Sequence, residues 1–213
     1  MRVAGGLRVV EAITLASGEV WRLPTRGLFV LHGMGEASLL SHCLLSQLLM
    51  RGEHVLFLDG ANCSNPRRIA CLAREHNLPF ESYSRKIQIA RAFTCFQLTE
   101  LTSRVPHFLK CFPARVLIVT ALPDLYFDED ARDWDAHVAF EQALNNLKML
   151  VDLPLLIVIL SDARAFLVTK KRGHFFSKLK AQAKEVWSLR SDVKDRFELT
   201  CENPLFPPER GYR

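Results

Sequence analysis

Five short apolar runs rich in β-branched residues recur along the chain: GLFVLHG, HVLFLDG, KIQIARAF, ARVLIVTAL and LPLLIVILSD. Their apolar positions are successive rather than alternating, which predicts central strands covered by helices on both faces. The segments between them carry helical spacing, so the pattern predicts an α/β fold on a mainly parallel sheet. After the first run, SLLSHCLLSQLLMRG puts Leu40, Leu44 and Leu48 with Leu39 and Cys43 on one broad face, predicting a helix capped by Ser38 and ended by Gly52. NPRRIACLAREHNLP predicts a helix with Pro66 in its first turn that stops before Pro79. TCFQLTELTSRVPHFLKC is helical by the spacing of Phe96, Leu98, Leu101 and Val105, ahead of a fourth strand at Val116 to Val119. DAHVAFEQALNNLKMLVD predicts a long helix that packs Val138, Ala139, Leu144, Leu147 and Leu150 on the sheet. From about Glu185, two alternating segments around a polar turn predict a hairpin closing the sheet with antiparallel strands.

Composition narrows the class. A chain of 213 residues, 49% of them apolar, is long enough to bury one proper core. The expected division is an N-terminal extension with a first strand over residues 1–26, a core domain over 27–205 and a tail over 206–213. No run approaches the roughly 18 apolar residues of a membrane span, and the N-terminus has no leader-like apolar run. The expectation is an intracellular protein without membrane contact, nuclear in a eukaryote and in the cytoplasm or nucleoid of a prokaryote. Six scattered cysteines without a C-x-x-C pair predict reduced, mostly buried thiols and no zinc site.

Charge is distributed unevenly beneath a net +5. Between Asp124 and Glu141 seven acidic residues face a single arginine, Arg132, whereas from Arg164 to Arg196 ten basic residues face three acidic ones. Such a dipolar pattern suits a polyanion on one side and a basic partner on the other, although solvated surface charge is the commoner cause of such patterns. The acidic residues Asp128, Glu129, Asp130, Asp133 and Asp135 fit a solvated loop and helix start better than a metal site.

The first strand leads into a glycine-bearing loop and a helix, the context of a phosphate-binding loop, which requires G-x-x-x-x-G-K-[ST]. With Gly33 as the first glycine, the later positions are Ser38, Leu39 and Leu40, so the lysine and the magnesium-binding hydroxyl are missing. Gly33, Gly35 and Ser38 at a helix N-terminus could hold an anion weakly, against the repulsion of Glu36. His32 either faces a ligand or ends the strand.

In order and spacing, this loop, HVLFLDGANCSNPRRIACLAREHNLP, KIQIARAFTCFQL, ARVLIVTALPDLYFDED and LPLLIVILSD together resemble the core of the RecA superfamily, most closely its strand-exchange recombinases and their paralogues. The likeness spans roughly Gly27 to Pro204. It implies a RecA-like three-layer fold with a mainly parallel central sheet, helices on both faces and a C-terminal antiparallel hairpin. Asp59 and Pro66 match the family pattern, as do Ala90, Arg91, Ala92 and Phe93 of its A-R-A-F tetrapeptide. The departures fall in separate segments: the lysine is Leu39, the hydroxyl Leu40, the water-activating glutamate Ala61 and the magnesium-binding aspartate Thr120, while the sensor strand ends in Ser161 and Asp162. The resemblance therefore implies a catalytically inactive, non-enzymatic paralogue in DNA repair or recombination, with no cofactor, ATP being at most a weak occupant. It would bind a RecA-fold protein partner as a heteromer, single-stranded or branched DNA, or both.

In recombinases the loop after the sensor strand faces DNA, and Lys170, Lys171, Arg172, His174, Lys178 and Lys180 cluster at the corresponding place, with Phe175 and Phe176 available to stack on bases. The same residues also fit a lysine-rich surface helix with its phenylalanines in the core. Two other readings stand beside the main one: an ATPase whose site is atypical or completed by a partner, and a RecA-fold regulatory module without DNA binding, of the kind that inhibits cell division or assists damage-induced mutagenesis.

Overall fold

A computed structural model describes residues 13–14, 20–21, 24–33, 37–75, 77–162, 172–191 and 197–202. Strands β1 (Ile13–Thr14) and β2 (Val20–Trp21) form a small antiparallel pair apart from the main sheet. The main sheet comprises β3 (Gly27–Gly33), β4 (Val55–Asp59), β5 (Ile87–Arg91), β6 (Val116–Thr120), β7 (Leu156–Asp162), β8 (Glu185–Ser191) and β9 (Phe197–Cys201). Their spatial order is β5, β4, β6, β7, β3, β8, β9. The apolar runs of β3, β4, β6 and β7 are buried almost throughout, as their continuous hydrophobicity requires of strands covered on two faces. β5 differs from the expectation of a central strand: it pairs only with β4 among the described residues, lies at the sheet edge and is partly exposed along its length. The C-terminal pair also differs in part, because β8 runs parallel to β3 and only β9 is antiparallel.

Alternation within the strands splits the core into two layers. Leu28, Val30, Leu56, Leu58, Leu117, Val119, Ile157 and Ile159 point to one face, under α4 (Cys95–Cys111), α5 (Asp133–Leu150) and α6 (His174–Gln182). Phe29, Leu31, Val55, Phe57, Ile118, Val158 and Leu160 point to the other, under α1 (Ala37–Met50), α2 (Pro66–Glu75) and α3 (Phe80–Ser84). The short α3 begins directly after Pro79, so the proline that bars the preceding helix from continuing also opens the next one.

Helix α1 ends as expected. Gly52 takes a left-handed φ of 81°, its N–H reaches the Leu49 carbonyl, and the Glu53 N–H reaches the Leu48 carbonyl, the paired closure that a glycine at this position permits. Its start differs, since the helix already includes Ala37 and Ser38 falls inside the first turn. Val138 on α5, expected to pack on the sheet, is instead 47% exposed, and Phe96 on α4 is 48% exposed. Leu98, Val105, Ala139, Leu144, Leu147 and Leu150 are buried as their spacing predicts.

Candidate functional site

The carboxyl ends of β4 and β6 lie side by side, with Asp59 opposite Thr120 in the parallel register. Asp59 is fully buried and gathers donors from the loop that follows it. One carboxylate oxygen, Oδ1, accepts the Cys63 N–H at 2.9 Å, the Cys63 thiol at 3.4 Å and the Thr120 hydroxyl at 3.3 Å. Oδ2 accepts the Ser64 N–H at 2.9 Å and the Ser64 hydroxyl. Burial alone would raise the pKa of this carboxyl, but the bonds from Ser64 and Cys63 outweigh it and hold the group below its ordinary range. Arg91, from the end of β5, lies 3.5 Å from Oδ2 and donates to the Ser64 hydroxyl and carbonyl.

Thr120 is engaged on both sides, donating to Asp59 and accepting the Ala61 N–H at 3.1 Å. Where the resemblance would place a metal-binding carboxylate, the fold therefore has a neutral hydroxyl committed to internal bonds. Ala61 is exposed and has no proton-accepting side chain. The Cys63 thiol is pushed up to about 11, first by burial and then by the neighbouring Asp59 charge, so it stays protonated at neutral pH. Two non-glycine residues here, Asn62 and Ala121, have left-handed φ values of 51° and 60°. Gly60 is required by space: a Cβ at that position would sit 2.6 Å from the Thr120 carbonyl oxygen.

A second carboxylate group lies at the carboxyl ends of β3 and β7. Gly33 ends β3 opposite Asp162 at the end of β7. Asp124, in the short 3-10 turn Asp124–Phe127, accepts the Ser161 hydroxyl and the Asp162 N–H, each at 3.0 Å. Burial pushes Asp124 up to about 7, the Asp162 charge adds to the rise, and the two hydrogen bonds oppose it. Gly33 itself is explained by close packing, because a Cβ there would lie 3.0 Å from the Leu189 Cβ and 3.1 Å from its carbonyl oxygen. Gly35 and Glu36 lie outside the described residues, and so does the side chain of Ser38.

The basic cluster is divided by the fold. Arg172 is 5% exposed, and its guanidinium donates to the Tyr126, Asp128 and Ala131 carbonyls and to Asp133. It fastens the acidic loop to α5 and has no face left for a phosphate. Phe175 is 1% exposed and stacked on Phe140 with ring centroids 4.4 Å apart, so it cannot stack on a base. Both assignments to DNA contact are corrected, and the reading of a surface helix with its phenylalanine in the core holds for Phe175. Lys178 pairs with Glu141, and Lys180 lies 3.2 Å from Glu202 and over the Phe176 ring. Lys170 and Lys171 lie outside the described residues. His32 Nε2 is 2.8 Å from Glu202, and its ring meets Phe176 edge-on, which ties β3 to α6 and the end of β9.

Sequence reasoning missed Asp124 and the roles of Ser64 and Arg91 around Asp59. The S-N-P sequence before α2 was a visible sign of a structured turn, but their common partner is remote in the chain. No protein-family model matches the chain, and no characterised protein matches it in sequence. No helix among the described residues is long and apolar enough to cross a membrane.

Proposed function

We propose that this chain is a RecA-like protein without ATP turnover that acts in DNA repair or recombination by binding a RecA-fold partner. The observation that carries the reading is the closed network at the carboxyl ends of β4 and β6. Asp59, Thr120, Ser64, Cys63 and Arg91 satisfy one another where an active member would hold magnesium and an activated water. Phosphoryl transfer depends on positioned positive charge, whereas the carboxyl groups of Asp124 and Asp162 gather at the end of β7, beside the end of β3. The parallel sheet with one antiparallel terminal strand is consistent with a RecA-like layout. The edge strand β5, partly exposed and paired on one side only among the described residues, is a surface on which a partner could add a strand.

DNA contact, if made, falls to Lys170 and Lys171 with the rims of Lys178 and Lys180. Two measurements on the full chain test the reading. ATP hydrolysis should not exceed the buffer background, and turnover clearly above it would overturn the inactive assignment. A labelled single-stranded oligonucleotide, titrated by anisotropy at low and moderate salt, should bind with strong salt dependence and weaken in a Lys170→Ala, Lys171→Ala variant. Absence of binding at low salt would remove DNA from the proposal and leave the protein partner.

A further inference from the structure

The outer face of the α4–α5 pair carries an open groove of about 450 Å³. Phe96 and Glu100 of α4 form one wall, and Trp134, Asp135 and Val138 of α5 the other. The exposure of its apolar residues is unusual: Trp134 is 74% exposed, beside the half-exposed Phe96 and Val138. Phe93, three residues before Phe96, is 62% exposed. Isolated surface apolar residues need no explanation, but aromatic side chains gathered around a concavity mark a binding surface. Tryptophan is also the residue most enriched among the anchors of protein interfaces.

The floor is braced by hydrogen bonds between α4, α5 and the turn before it. Thr99 lies 2.8 Å from the buried Tyr126 hydroxyl and 3.0 Å from the Ala139 carbonyl of α5. One turn further on, the Asn146 amide donates to the Thr102 hydroxyl at 3.1 Å. These bonds lock the two helices at the groove, so an incoming segment would not have to order it.

Charge selects the occupant. The ionisable groups of the lining are the carboxylates Glu100 and Asp135. Glu100 shares its charge with Arg104 at 2.7 Å, whereas Asp135 makes no ion pair among the described residues. Asp128, Glu129 and Asp130 are exposed in the loop that leads to Trp134, with Arg132 as the one nearby cation in that loop. Two copies docked through this face about a two-fold axis would bring acidic residues against acidic residues. We propose that the groove is the docking site for a basic, apolar-anchored segment of a partner protein. One large apolar side chain enters between Phe96 and Trp134 while a lysine or arginine within a turn of it meets Asp135. This goes beyond the RecA-like reading and stands whether or not that reading holds.

The probe is a phage-displayed library of random peptides selected against the full chain, with the recovered peptides resynthesised and measured by anisotropy. The expected sequences combine an aromatic or large aliphatic residue with lysine or arginine. Their affinity should fall about thirtyfold or more in Trp134→Ala, the size of an interface hot-spot loss. It should fall about tenfold in Asp135→Lys through charge reversal. Because both side chains are exposed, circular dichroism should show unchanged folding, and Trp134→Phe should retain most of the binding. The proposal is overturned if no peptide is enriched, if the enriched peptides are acidic or lack the anchor, or if Trp134→Ala binds them unchanged. Self-association of the chain that Trp134→Ala abolishes would also overturn it, in favour of a second copy as the occupant.

Discussion

Two faces of one domain have opposite economies of polar and apolar groups. At the carboxyl ends of β4 and β6 the polar groups are turned inward, and Asp59 gathers donors from Cys63, Ser64, Thr120 and Arg91. On the outside of α4 and α5 the apolar groups are turned outward, with Trp134, Phe96 and Val138 in solvent. The first arrangement fixes a loop and leaves little for a ligand to take up, whereas the second leaves apolar surface whose burial would be favourable. The chain thus closes its polar groups on one another at the strand ends and leaves apolar groups open on a helical flank.

The sharpest way to break the inward arrangement is through Arg172, which belongs to the same design of buried, fully partnered polar groups. Arg172→Ala leaves the Tyr126, Asp128 and Ala131 carbonyls without their donor. It should cost about 3 kcal/mol in urea unfolding, with the exposed Asp133 contributing little of that. Next comes Gly60→Ala, where the new methyl meets the Thr120 carbonyl and the Asp59 loop must shift. The expected loss is about 2 to 3 kcal/mol, measured in the same way.

Asp124 gives a smaller effect with a definite sign. Its pKa is raised from 3.8 to about 7 in the folded chain, so the folded state binds this proton more tightly than the unfolded state does. The contribution to stability is complete below 3.8 and is lost as pH rises through 7. Urea unfolding should therefore show a decline of about 1 to 2 kcal/mol from this group between mildly acidic and neutral pH. Asp124→Asn should flatten that decline whatever it does to absolute stability. Asp59 has the opposite sign: its depressed pKa contributes stability above its ordinary value of 3.8 and loses it as pH falls through the folded pKa. The smallest effect belongs to the helical flank. Trp134→Ala should change stability by no more than about 0.5 kcal/mol, because the side chain is mostly in solvent already. A large loss there would mean that Trp134 is structural and would erase the contrast between the two faces.

The strands and most helices were legible because their signals are local. Four of the five apolar runs became buried strands, and the 3.6-residue spacing of Leu144, Leu147 and Leu150 gave the inward face of α5. The apolar stripe of α5 is narrower than its composition, since Val138 lies outside it. A helix wider in apolar residues than its contact with the sheet exposes the surplus, and composition alone does not say which edge that is. The edge position of β5 was equally hidden, since KIQIARAF looks like its neighbours and only the order of strands leaves it at the margin.

The candidate site was legible as a list of missing groups: no lysine at Leu39, no glutamate at Ala61 and no aspartate at Thr120. Chain chemistry by itself determined which charges are available at these positions, because no packing can supply a charge that a side chain does not have. What replaces that chemistry was decided by tertiary structure. Thr120 reaches Asp59 across 61 positions, and Arg172 closes on carbonyls more than 40 positions earlier. Whether a lysine-rich segment sends its phenylalanine toward a ligand or into the core likewise depends on what lies beneath it. For Phe175 the partner is Phe140, 35 residues away, and burial of both rings against the sheet outweighs exposure to solvent.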